Sequence, residues 1–224
     1  MKIVLVEDHV MMRDIIRKVC AERDGFEVVA EAGTGADAVE AILRTAPDLV
    51  VLDLYLPDFD GLDVLARVRD TGHRPRVLVV SGFANPYLVF RLEGAQVDGF
   101  VDKRVQALPE LREALGAVSS GRTYFSDTYL RLRDDRRQNP LAFDKLLNGL
   151  ELEFLAYAAH GFDDAGIARH LDITRRAAED HRREIMGILG LLTATDLMRY
   201  ARENGFTFGP PPSFAASRLR VTAL

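Results

Sequence analysis

The chain has 224 residues, 48% of them hydrophobic, and a net charge of −5. That is enough apolar material for one large core or two small ones, and it gives no overall attraction to nucleic acid. A lone cysteine, Cys20, excludes an intrachain disulfide framework and fits a reducing cytosol, and no apolar run approaches the ~20 residues that span a bilayer. Met1 leads directly into a strand-like run, so no signal-peptide pattern is visible. The charge is uneven. Residues 1–121 carry 14 Lys/Arg and 20 Asp/Glu, a net of −6, whereas residues 122–224 carry 15 and 14.

In chain order, the first 121 residues alternate strand and helix patterns. KIVLVED is a short apolar run that ends in acids, and VMMRDIIRKVCAER has helical spacing at Met12, Ile15, Ile16 and Val19. FEVVAEA is strand-like, and GADAVEAILRTA is helical up to Pro47. DLVVLDL is a continuous apolar run, as a central parallel strand requires. GLDVLARVRDTG, NPYLVFRLEGA and LPELREALGAVSSG read as helices, separated by the strands RVLVVSG and DGFVDK. Five βα units predict a parallel sheet covered on both faces. Residues 122–143 are charged and weakly periodic, and are expected to form an interdomain linker, partly helical. Residues 144–205 hold only helical patterns, at roughly 148–160, 163–171, 174–189 and 193–204. The Pro-rich 206–224 is expected to be a disordered tail.

Ligands of an open α/β sheet bind beyond the carboxyl ends of its strands. Here the first strand ends in Glu7-Asp8, the third in Asp53, the fourth in Ser81 and the fifth in Lys103. Each alone is ordinary turn, cap or surface chemistry. Together they make an acidic pocket with one hydroxyl and one ammonium, a donor set suited to Mg2+. A carboxylate held there is a nucleophile for phosphorus, with the lysine and hydroxyl neutralising phosphoryl oxygens. The pattern predicts an aspartyl phosphate on Asp53.

A competing motif is GTGADA, Gly33 to Ala38, which fits G-x-G-x-x-A between a strand and a helix. It allows a dinucleotide-binding reading. That fingerprint normally follows the first strand of its fold, and it leaves Glu7, Asp8, Ser81 and Lys103 unexplained.

Residues 1–121 closely resemble the receiver domain of two-component response regulators. The resemblance rests on Glu7-Asp8, on LDLYLPDFDG with Asp53, Pro57 and Gly61, on VVSG with Ser81, and on GFVDK with Lys103. It implies a flavodoxin-like (βα)5 fold in which Glu7, Asp8, Asp53 and the Tyr55 backbone carbonyl hold Mg2+ or Mn2+. Asp53 would accept phosphate from a sensor histidine kinase, Ser81 and Lys103 would grip the phosphoryl group, and Phe100 would be the switch aromatic. Tyr55 and Phe83 are large for their positions, two residues after Asp53 and Ser81, and are expected to limit water access to the aspartyl phosphate.

Residues 144–205 resemble the LuxR/NarL-type tetrahelical helix-turn-helix domain. LNGLELEFL keeps Leu147, Glu151 and Leu155 of the family's opening, and HGFDDAGIARHLDIT and HRREIMGILGL keep its later register. The chemistry departs from the family at Gly166, over Thr174 to Glu179, at Ile188 and in LLTAT. In the helix Thr174–Leu189, helical spacing puts Ala178, His181, Ile185, Ile188 and Leu189 inward, and Arg176, Glu179, Asp180, Arg183 and Gly187 outward. The outward face, in a module with 8 Lys/Arg and 10 Asp/Glu over residues 145–205, is expected either to read bases or to pair internally as Arg176–Asp180 and Glu179–Arg183. Arg175, Arg182 and the Thr174 helix start are expected at phosphates.

The two resemblances together imply a cytoplasmic NarL/FixJ-type response regulator without enzymatic activity, apart from taking phosphate from phosphodonors and losing it slowly. Its expected partners are a sensor histidine kinase, double-stranded DNA and, on phosphorylation, a second copy of itself, with no membrane. The alternative is a phosphorylation-controlled regulator whose helical domain has weakened or lost DNA binding and contacts another protein.

Overall fold

The computed structural model describes residues 1–105 and 107–207. They fall into two units, Met1–Ala84 with Arg91–Arg131, and Asn85–Phe90 with Leu132 onward.

The first unit is built on a six-stranded parallel sheet in the order β2-β1-β3-β4-β5-β6. The strands are β1 Lys2–Val6, β2 Glu27–Ala32, β3 Leu49–Leu52, β4 Arg76–Ser81, β5 Gly99–Asp102 and β6 Tyr124–Phe125. The helices between them are α1 Val10–Ala21, α2 Gly35–Thr45, α3 Gly61–Asp70, α4 Pro86–Gly94 and α5 Ala107–Ser119. Every residue of β3 and β5 is buried, because a parallel sheet is covered on both faces. Ile3, Leu5, Val51, Leu78 and Val101 join Ile16 and Val19 of α1 and Leu111, Leu115 and Val118 of α5 in one core cluster. Of the four positions that helical spacing marks in α1, Ile16 and Val19 are buried in this core and Met12 and Ile15 are half-buried.

The sheet has one strand more than the sequence pattern predicts. Tyr124–Phe125 pairs with β5, Gly99 opposite Tyr124 and Phe100 opposite Phe125. Two residues are too few to carry a periodicity signal, so this strand exists by pairing alone. The range read as linker therefore begins as sheet, and it continues as α6 Asp127–Gln138.

The second unit contains α7 Phe143–Leu146, α8 Gly149–Ala159, α9 Asp164–Leu171, α10 Arg175–Leu189 and α11 Ala194–Glu203. The starts of α8 and α11 are closed by capping boxes, Asn148 with Glu151 and Thr193 with Asp196. Thr174 caps α10 through Ala177 N, and Gly190 ends it in the left-handed conformation at φ 66°. Phe154, Leu155, Tyr157, Ile167, Ala178, Ile185 and Leu197 form its core. Phe206, on the tail side of the expected boundary, is buried in this core, with its ring centroid 5.1 Å from that of Phe143. The rest of the expected tail, from residue 208, lies outside the described residues. Among the described residues no helix is long and apolar enough to cross a membrane.

Candidate functional site

Hydrogen bonds between neighbouring strand ends assemble the site. Asp53 N donates to the Val6 carbonyl at 2.8 Å, which sets the Asp53 turn beside Glu7. Lys103 N donates to the Ser81 carbonyl at 2.8 Å, which ties the fifth strand end to the fourth. The side chains then converge. Lys103 Nζ lies 2.6 Å from Glu7 Oε2 and 2.7 Å from Asp53 Oδ2. Glu7 and Asp53 are buried, and Lys103 is nearly so. Gly61 closes the cradle from below, since a Cβ there would lie 2.5 Å from the Asp53 carbonyl oxygen.

Glu7, Asp8, His9 and Asp53 each offer a ligand atom, all within 4.8 Å of one another. This cluster of mostly carboxylate donors fits a hard divalent cation. His9 was not among the residues expected here. Its Nδ1 lies 2.6 Å from Asp8 Oδ1, so it orients that carboxylate. Arg13 is a second addition, its Nη1 donating to the Glu7 carbonyl at 2.7 Å while its Nε reaches Glu31. Burial pushes the Glu7 carboxyl above its usual range, opposed by the hydrogen bond and charge of Lys103 and reinforced by the charge of Asp53.

Ser81 is fully buried, and its Oγ accepts from Phe83 N at 3.2 Å. Phe100 is fully buried beneath Tyr129 of α6, with ring centroids 5.6 Å apart, and Tyr129 stacks on Phe125 at 4.5 Å. Ser126 N donates to the Phe100 carbonyl at 3.0 Å, so backbone and ring are both held. Tyr55 and Phe83, each 50% exposed, pair with centroids 5.7 Å apart. Tyr55 N donates to Asp53 Oδ1 at 3.2 Å.

The Gly33–Ala38 turn is occupied by the chain itself. Asp58 accepts from Gly35 N at 2.7 Å and from Ala36 N at 2.9 Å, and Thr34 Oγ1 accepts from Asp37 N at 3.1 Å. The amides a pyrophosphate would need are thus already bonded. The dinucleotide reading fails on this ground.

In the helical unit, the expected outward side chains of α10 are exposed apart from the half-buried Glu179, but they pair differently from the sequence expectation. Arg175 Nε bonds Glu179 Oε1 at 3.0 Å, and Arg183 pairs with Asp180. Arg176–Asp180 and Glu179–Arg183 do not form as side-chain ion pairs; Arg183 Nε instead donates to the Glu179 carbonyl at 3.3 Å. Both kinds of spacing bring side chains together on a helix, and the rotamers decide between them. Arg182, expected at a phosphate, is bound 2.6 Å from Asp164 in α9, so it serves the packing of the two helices. Ile188, expected inward, is 41% exposed, although Met186 and Leu189 beside it pack against the core. Ala178 and Ile185 are buried, and His181 and Leu189 are half-buried.

A parallel α/β sheet with an acid–lysine cluster at its carboxyl edge, followed by a helix-turn-helix module, is the architecture of a two-component regulator. Residues 3–116 match the response regulator receiver domain, and the chain belongs to the response regulator family, of the NarL/FixJ type. It is 31% identical to BvgA, the virulence-factor transcription regulator of Bordetella pertussis, over 91% of this chain and 97% of that one. It is 28% identical to a nitrate/nitrite response regulator homologue of Haemophilus influenzae, over 83% of this chain and 88% of that one. The fold is shared with RcsB of Salmonella enterica serovar Typhimurium, solved bound to a promoter in the presence of a phosphomimetic. The TM-score is 0.64 at 22% identity, covering 89% of this chain and 97% of that one.

The raised Glu7 carboxyl has a signed consequence. Its stabilising protonated form dominates below the unfolded value of 4.5, and that contribution is lost as pH rises through the raised folded value. Glu7→Gln therefore raises the melting temperature of the metal-free protein at neutral pH. The gain vanishes on acidification, as a melting series across pH will show.

Proposed function

We propose that Asp53 is the phosphoacceptor of this response regulator and that its helical domain carries the signal to DNA, so that the chain controls transcription. The observation that carries the first half is the convergence of Glu7 and Asp53 within 2.7 Å of the Lys103 ammonium, at the edge where ligands of such sheets bind. A carboxylate oxygen of Asp53 attacks phosphorus while the bond from phosphorus to the donor breaks, and the kinase's phosphohistidine is the natural donor. Glu7, Asp8 and Asp53, with the Tyr55 carbonyl, would hold Mg2+ (or Mn2+), which neutralises charge on the phosphoryl oxygens. Lys103 is displaced from its bridging position toward the new phosphoryl group, and the Ser81 hydroxyl donates to it. The catalysis is confined to self-phosphorylation and slow self-dephosphorylation, in a cytoplasmic protein.

The switch runs from Ser81 to Phe100. Because Phe100 is enclosed by Tyr129 and its carbonyl holds Ser126, a shift at β5 is felt directly at the start of α6. That coupling leads to release or dimerisation of the helical domain.

DNA contact falls to Arg175, Arg176, Glu179, Asp180 and Arg183 of α10 and to its amino end at Thr174. The acids are engaged with neighbouring arginines, each pair worth only a few tenths of a kcal/mol, so DNA can compete for the arginines. The same pairing favours a second reading, in which the neutralised face binds a protein instead.

Three measurements test these readings. Acetyl phosphate with Mg2+ phosphorylates the wild type, and Asp53→Asn takes up no label. The Tyr55–Phe83 pair shields the acyl phosphate, so Tyr55→Asn shortens its half-life several-fold; an unchanged half-life sinks the shield. In a salt titration of binding to an oligonucleotide pool, affinity falls steeply with salt, and Glu179→Lys tightens binding if the acid suppresses contact or switches the selected site if it reads bases. No binding by the phosphorylated protein favours the protein partner.

A further inference from the structure

The loop between β3 and α3 is tied down more firmly than a connection between strand and helix requires. At its base, Tyr55 and Asp60 form an antiparallel bridge, and Gly61 N donates to the Leu54 carbonyl at 2.9 Å. Asp60 Oδ1 caps α3 at Leu62 N, 2.8 Å away, and Asp60 Oδ2 is paired with Arg91. At its tip, Asp58 places one carboxylate oxygen on Gly35 N and the other on Ala36 N, groups 23 and 22 residues away in sequence. Phe59 lies against Gly35, where a Cβ would come 2.6 Å from the ring, and Arg67 stands 4.3 Å from the centroid of that ring.

The α2 helix does not need this help for an ordinary start. Thr34 already supplies its side-chain cap, at Asp37 N. Asp58 adds a charge-assisted clamp that the helix dipole favours. Burial pushes the Asp58 carboxyl up, but hydrogen bonds from Gly35, Ala36 and neighbouring amides outweigh it and leave the carboxyl below its usual range. What the clamp holds is the segment that begins at Asp53. Tyr55 N bonds the Asp53 carboxylate at 3.2 Å, so a shift of the loop moves both that carboxylate and the Tyr55 backbone.

We propose that Asp58 is a positioning residue: by clamping the β3–α3 loop to the amino end of α2, it holds Asp53 and the Tyr55 backbone in the arrangement that receives the divalent cation. The inference rests on the reading of Glu7, Asp8 and Asp53 as the cation site. Mg2+ tolerates little departure from octahedral geometry, so a loosened loop weakens binding without removing any ligand. This also gives the Gly-containing turn its purpose. Gly35 leaves room for Phe59, and its amide receives Asp58.

The test is a calorimetric Mg2+ titration of the full chain in four forms: wild type, Asp58→Ala, Asp58→Asn and Thr34→Ala. Asp58→Ala weakens Mg2+ binding roughly tenfold or more, the scale seen when an outer partner of a metal ligand is lost. Asp58→Asn keeps one acceptor without the charge and recovers part of the affinity, which separates position from electrostatics. Thr34→Ala removes a cap of the same helix but not the clamp, and stays within about twofold of wild type, on the ordinary scale of a surface change. Hydrogen exchange across residues 54–60 of the metal-free protein rises in Asp58→Ala and not in Thr34→Ala. With acetyl phosphate, Asp58→Ala raises the Mg2+ concentration for half-maximal rate while the rate at saturating Mg2+ largely recovers. Wild-type affinity in folded Asp58→Ala overturns the proposal, as does an equal loss in Thr34→Ala. Should Asp58→Ala not fold, the Asn variant decides: intermediate affinity supports the clamp and wild-type affinity overturns it. A wild type that binds no Mg2+ overturns the cation-site reading itself, an outcome distinct from the others.

Discussion

Two buried carboxylates, Glu7 and Asp53, stand against one ammonium, Lys103, and the local structure of the first unit follows from keeping them together. Buried charge is tolerated only when paired and hydrogen-bonded. The pairing here needs three strand ends in register, because the acids come from β1 and β3 and the lysine follows β5. Parallel strands supply that register through their shared carboxyl edge. Gly61 then lets the chain turn close under Asp53, and Arg13 holds the Glu7 carbonyl from α1. Burial, reinforced by the charge of Asp53 and opposed by Lys103, is what raises the Glu7 carboxyl above its usual range.

The charge centre connects outward through β4 and β5. Ser81 is buried at the end of one strand, and Phe100 is buried in the next, with Val79 and Phe100 in register. The short strand β6 makes this connection continuous with the chain beyond. Its two residues add an edge to the sheet, and Tyr129 seats its ring over Phe100. An aromatic enclosed in this way is held together with the segment packed on it. The stretch read as a linker therefore belongs to the first unit at its start.

Helix α10 shows how little a helical wheel says about charge. The wheel correctly separates most of the inner and outer faces, with Ala178 and Ile185 buried and Arg176, Asp180 and Arg183 exposed. It is silent on which arginine meets which acid, because spacings of three and four residues are both in reach. It is equally silent on Arg182, whose partner Asp164 belongs to another helix. Ile188, at the edge of the inward arc, is 41% exposed while Leu189 beside it packs against the core.

From sequence alone one could read the parallel α/β class, the five βα units, the four-helix pattern after them and the set Glu7, Asp8, Asp53, Ser81 and Lys103. These were legible because each depends on local pattern: apolar runs for buried strands, helical spacing for amphipathic helices, and chemistry at strand ends that a parallel sheet must bring to one edge. Only the tertiary structure decided the features whose cause lies far along the chain. Strand β6 is held by pairing with β5, Phe206 by the helical core, and Phe100 by Tyr129. Asp58 reaches 23 residues back to the start of α2, turning a motif that looked like a nucleotide cradle into the anchor of the Asp53 loop. Local pattern fixes what a segment becomes; which partner fills each remaining hydrogen bond is set by three-dimensional proximity, and no spacing in the chain records it.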